Sequence, residues 1–249
     1  MATKVSSPSG VTSTSSAAAR LIDRVVDFAG ELVRNIKGIR VSQDLFDDLA
    51  RPGDEMSADL AVAIAAEGAT RIPTPEPLIT RPFDYGTVIT YPFVPHNWQA
   101  TRYSDGLEYG VWYGALELET TVHETLYHWR RFVHDSFPDL DRELVSERRV
   151  FTVRCEAILI DLRSAKDPRL VNPRDYSFTQ QLGRYLWRRA QSGLLAPSAR
   201  TRGTTAAILR AEALSDVRDL CFLTYRLYGD SAVVEHTPGE RWLRITIPT

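Results

Sequence analysis

Two short stretches carry the side chains with the most chemical potential: HETLYH, residues 123–128, and LAPSAR, residues 195–200. The first has the residue types of a zinc-binding helix, in which two histidines four positions apart share one face and a glutamate between them works on a metal-bound water. His123 and His128 are five apart, so on a helix they diverge by roughly 140°. They cannot share a metal in that way, and no metal site is expected. The second stretch places Ser198 between proline and alanine, not in the strained G-x-S-x-G turn that exposes a hydrolase nucleophile. Neither a G-x-G-x-x-G fingerprint nor a G-x-x-x-x-G-K-[ST] loop occurs, which leaves doubly wound dinucleotide binding and P-loop phosphoryl transfer without support.

The elements that must position these groups centre on Arg102 to Trp129, RYSDGLEYGVWYGALELETTVHETLYHW. Val111-Trp112-Tyr113 reads as a short extended segment that turns at Gly114-Ala115 into a helix from about Leu116 to Phe132. Leu118, Val122, Leu126, Trp129 and Val133 recur at three- and four-residue spacings and form a core-facing stripe. Glu124 lies off that stripe, on a second face with Glu117, Thr120, Thr121 and His128. Periodicity by itself favours a solvated Glu124–His128 pair over a catalyst.

Composition narrows the field. At 249 residues with 43% hydrophobic and 25% charged residues, the chain has the make-up of a globular protein with a substantial core. A net charge of −2 gives no sign of a nucleic-acid binder. No apolar run approaches the roughly 18 residues that span a bilayer, and no basic segment with an apolar follow-on marks the N-terminus, so a cytoplasmic location is expected. Cys155 and Cys221 sit in apolar strand-like runs and read as buried, inert thiols.

In chain order, residues 1–16 are Ser/Thr-rich and predict a disordered leader. Leu21, Val25, Phe28, Leu32 and Ile36 predict a helix from Ala17 to Lys37 capped by Gly38. Ser42 and Ser57 are candidate caps of two more helices, completing a helical extension over 17–71. A helix-turn-helix reading of this part fails because SADLAVAIAAE has no Arg, Lys, Asn or Gln to reach base edges. The four prolines of IPTPEPLITRP, residues 72–82, predict a boundary, and 72–249 a second domain. Within it, strands are expected at Thr87–Phe93, Val150–Leu162, Thr204–Arg210, Leu220–Tyr228 and Trp242–Ile247, with a helix at Ser177–Gln191. This is an α+β domain with a largely antiparallel sheet.

Arg102-Tyr103-Ser104, then VWYGALELETTVHETLYH, then LAPSAR together resemble the RES-domain family over roughly residues 80–230. The resemblance implies a fold related to ADP-ribosyltransferases, with an antiparallel or mixed sheet and flanking helices. It also implies attack on NAD at the nicotinamide glycosidic bond, by hydrolysis or phosphorolysis, in a bacterial toxin neutralised by a helix-turn-helix antitoxin. NAD is then the substrate and no cofactor is required. Relatives that transfer ADP-ribose to a protein, or a RES-like module that has lost the chemistry and only binds nucleotide or protein, are the alternatives. The family's functional positions fall on Arg102, Tyr113, Glu124 and His128, and its later serine on Ser198. Glu124 would stabilise the oxocarbenium-like ribose, Arg102 would hold the pyrophosphate, Tyr113 would stack on nicotinamide and Ser198 would bond a phosphate or ribose oxygen. Many relatives add an arginine on the first strand; the corresponding VITYPF has none, so either Arg81 just before it is the substitute or the role is lost. Tyr103, Arg200 and Arg202 rank behind these. The extension over 17–71 is the candidate for antitoxin contact or for assembly into a homo-oligomer.

Overall fold

A computed structural model describes residues 21–38, 85–237 and 239–247. The expected leader, the helices after Ser42 and Ser57, the boundary at 72–82 and Arg81 lie outside the described residues. The described chain contains eight strands of a mixed sheet and three α-helices, an α+β fold. In order they are β1 Val25–Lys37, α1 Tyr85–Thr90, β2 Trp112–Ala115, α2 Leu118–Ser136, β3 Leu144–Asp161, α3 Ser177–Arg188, β4 Gly193–Pro197, β5 Thr204–Ile208, β6 Leu214–Tyr228, β7 Ser231–Thr237 and β8 Glu240–Thr246. No helix among them is long and apolar enough to cross a membrane.

Two sequence expectations are corrected. The stretch predicted as a helix to Lys37 is strand β1 from Val25 onward. Phe28, Leu32 and Ile36 fit a helical stripe, but all are even-numbered and therefore also share one face of a strand. Gly30 in the interior weakens a helix, and the pairing of Val33 with Ala115 of β2 supplies what local propensity could not. Gly38, expected as a helix cap, instead donates its N–H to the Glu147 carbonyl at 2.7 Å. The strand predicted at Thr87–Phe93 is α1 followed by a 3-10 turn, Tyr91–Phe93. Its β-branched residues are a weak prior that tertiary contacts override. Tyr85 at its start packs edge-on to Phe151 and donates to Asp219 at 2.5 Å, while Val88 is buried.

The described residues fall into two compact units. One comprises residues 21–30, 89–113 and 154–215. There β4 runs parallel to the end of β3, with Ile160 opposite Leu194, and antiparallel to β5, with Leu195 opposite Ala206. The apolar faces of these strands and of α3 close on Leu162, Leu182, Leu186, Leu194 and Ile160, with Tyr103 and Tyr109 from the loop before β2. The other unit comprises 31–38, 85–88, 114–153 and 216–247. In it β6, β7 and β8 form an antiparallel meander, of which β7 was not foreseen, and the α2 stripe buries Val122 and Leu126 against Leu144, Tyr225 and Val234.

Candidate functional site

In the first unit the loop that carries Arg102 is held by α3. Gln180 Nε2 donates to the carbonyls of Thr101 at 2.9 Å and Ser104 at 3.2 Å. A Cβ on Gly183 would lie 2.0 Å from the Tyr103 carbonyl oxygen, so only glycine lets the helix come this close. Tyr109 closes the other side by donating to Tyr103 O at 2.5 Å and stacking on Trp187 at 5.0 Å. Arg102 therefore leaves a rigid base.

Its guanidinium reaches the segment before α3. Nη1 donates to Leu170 O at 3.0 Å and Asn172 O at 2.9 Å, and the group lies 4.5 Å above the ring centre of Tyr176. Tyr113, at the start of β2, donates its hydroxyl to Thr101 Oγ1 at 2.9 Å and accepts the Tyr103 N–H at 3.0 Å. Burial pushes that phenol up to about 12, partly offset by these hydrogen bonds and by the charge of Arg102. It stays neutral in the physiological range and presents a ring, not a base. Ser198, buried just past β4, accepts the N–H groups of Arg200 at 3.0 Å and Thr201 at 3.3 Å. The Arg200 side chain then donates to Pro173 O at 3.1 Å. Arg102, Tyr113 and Ser198 thus belong to one unit, and the 170–176 segment is bound by two arginines. Tyr103, by contrast, is a core residue, and Arg202 is exposed.

Glu124 and His128 lie on α2 in the second unit, Glu124 half-buried and His128 exposed. The helix is fixed at Thr121 and Thr125 by a polar network. Asn35 Nδ2 donates to Tyr225 OH at 2.8 Å and to Thr121 Oγ1 at 3.3 Å. Thr125 Oγ1 lies 3.0 Å from the same tyrosine hydroxyl. Arg148 donates from Nε to Asn35 Oδ1 at 3.0 Å. Arg34 beside it is depressed to about 10, first by burial and then by the charge of Arg148. Thr120 and Thr121, expected on the solvated face, are buried; Thr121 turns its hydroxyl back to the Leu118 carbonyl at 2.7 Å. No group of three His, Cys, Asp or Glu side chains among the described residues is placed to share a metal ion.

Sequence reasoning missed Tyr176, Gln180 and the Asn35–Arg148–Tyr225 network. The run NPRDYS at 172–177 did advertise a turn, but nothing in it points to Arg102, some seventy positions earlier. Polar residues buried by long-range pairing leave no periodic signal.

No curated protein matches the chain. A solved structure of the M. tuberculosis MbcT–MbcA toxin–antitoxin complex contains a chain that is 13% identical, with a TM-score of 0.45; the match covers 84% of this chain and 94% of that one. The family model for the RES domain matches residues 69–227, well over half of the sequence. The chain belongs to the RES-domain family.

Proposed function

We propose that this protein consumes NAD by cleaving the bond between nicotinamide and ribose, by hydrolysis or phosphorolysis, and that it acts as a bacterial toxin neutralised by a cognate antitoxin. The observation that carries this reading is the RES-domain match over a segment in which Tyr113 of β2 is tied by its hydroxyl to Thr101 and Tyr103, the two neighbours of Arg102 in the loop. The departing nicotinamide takes the bonding electron pair, which neutralises its ring nitrogen. The ribose carbon is left oxocarbenium-like, and water or phosphate adds its oxygen there. A hydrolytic water passes its proton to solvent or to a carboxylate. Glu124 is the group assigned to the developing positive charge. The Tyr113 ring serves the departing pyridine, and Ser198, with the charge of Arg102 and Arg200, serves the phosphates and ribose oxygens. His128 and Arg81 have supporting places in the same reading.

The test is nicotinamide release from NAD by purified protein, with and without phosphate. Release is expected from the wild type, and Glu124→Ala is expected to lower it by about 10²–10³-fold. Equal rates for wild type and Glu124→Ala would remove the enzyme reading. A product that appears only with phosphate identifies phosphorolysis. Growth arrest on expression, relieved by a co-expressed neighbour-encoded protein, tests the toxin assignment.

A further inference from the structure

The Arg102 guanidinium is not set out as an open fork. One nitrogen is shared between two main-chain carbonyls, Leu170 and Asn172, and the plane lies over Tyr176. The turn beneath Tyr176 is closed by its own bonds. Asn172 Oδ1 accepts the N–H groups of Arg174 at 3.0 Å and Asp175 at 2.9 Å, and Asp175 Oδ1 accepts that of Ser177 at 2.9 Å. Arg200 fixes the Pro173 carbonyl from the other side. Tyr176 is therefore a half-buried ring on an immobilised main chain, with a cation on one face. Among the described residues its hydroxyl makes a long 3.4 Å contact to Pro173 O, so the ring and not the hydroxyl is what the geometry preserves. Arg102 and Tyr176 both act electrostatically on Tyr113.

We propose that Tyr176 is a stacking wall for a planar base of the dinucleotide and that Arg102 is the positioning residue that holds it. This rests on the NAD reading above. A preformed ring costs little entropy to engage, and sequence-tolerant stacking on an aromatic changes affinity by roughly five- to hundredfold per base. Lysine at 102 would keep the charge but has no planar group to lie flat on the Tyr176 ring, which separates a positioning role from a purely electrostatic one.

The experiment combines steady-state nicotinamide release with hydrogen exchange of the 172–177 amides. Tyr176→Ala is expected to raise the KM for NAD about tenfold with kcat within about twofold, and Tyr176→Phe to restore the KM. Arg102→Lys is expected to speed exchange at 172–177 and to raise KM in parallel. An unchanged KM in Tyr176→Ala overturns the stacking role, and unchanged exchange in Arg102→Lys overturns the positioning role. If the wild type releases no nicotinamide, the cleavage reading falls by itself. The wall is then decided by titrating nicotinamide mononucleotide and AMP against intrinsic fluorescence: weaker binding to Tyr176→Ala than to wild type upholds it, and equal or absent binding overturns it.

Discussion

The hydroxyl of Tyr113 is locked to Thr101: it donates to Thr101 Oγ1 at 2.9 Å while accepting the N–H of Tyr103 at 3.0 Å. A group so occupied holds the Arg102 loop onto the start of β2. Tyr113→Phe leaves the ring in place and removes the hydroxyl that the Tyr103 N–H donates to, so it should lower stability by about 1–3 kcal/mol while changing nicotinamide release far less than Tyr113→Ala. Chemical denaturation and the release assay together check this; a large loss of activity in a fully stable Tyr113→Phe would instead give the hydroxyl a direct role.

The same burial governs the alkaline limit of the fold. Tyr113 is pushed up to about 12, and Tyr109 and Tyr225 are also raised, in each case first by burial. An unfolded tyrosine ionises near 10. The contribution of these tyrosines is therefore undiminished below pH 10 and falls as pH rises toward 12, where the unfolded chain releases protons that the folded one retains. The slope is at most about 1.4 kcal/mol per pH unit for each such group. Phenolate absorbance should show these three titrating together with loss of structure, and a simple titration near 10 while the circular dichroism persists would contradict it.

Asn35 is the hub of the network that seats α2, since it serves Tyr225, Thr121 and Arg148 at once. Asn35→Ala removes the acceptor of Arg148 Nε, leaving this half-buried arginine, whose charge desolvation already disfavours, with the Asn35 main-chain carbonyl at 3.3 Å, and it should cost about 2–4 kcal/mol. Thr125→Val removes one contact to Tyr225 together with the hydroxyl's bonds back to the Thr121 and Val122 carbonyls and should cost about 1 kcal/mol. Because both contacts meet at one hydroxyl, a double-mutant cycle should give a coupling of at least about 0.5 kcal/mol. Strict additivity would show that the network is not a unit.

What could be read in advance follows the range of the forces involved. The α2 stripe is a local pattern, and Val122 and Leu126 are buried as expected. The alternation through Phe151, Val153 and Cys155 likewise matches the buried positions of β3, though the strand begins earlier, at Leu144. The apolar residues of β1 satisfy two periods, helical and extended, and only its pairing with β2 decides between them. In the candidate site, Arg102, Tyr113 and Ser198 were named through a resemblance in residue order. Tyr176 could not be, because its relation to Arg102 exists only after the segment before α3 folds against the loop before β2.

Asp161, at the end of β3, supplies the acid counterpart. It is almost fully buried and accepts from Arg163 through Nε at 2.8 Å, Nη2 at 3.0 Å and the backbone N–H at 3.1 Å. The side-chain bond to Arg163 is the main cause that lowers its pKa. A depressed carboxylate contributes stability above its unfolded value, near 4, and loses it as pH falls through the folded one. Arg163 is substantially exposed, so solvent screening limits the contribution to roughly 1 kcal/mol. Asp161→Asn should therefore be less stable than wild type by about that amount at pH 7. The gap should narrow steadily between about pH 5 and 3, as the wild-type carboxyl takes up its proton. Urea midpoints of both proteins across that range measure the gap directly, and a difference that stays constant with pH would place the effect in packing and not in charge.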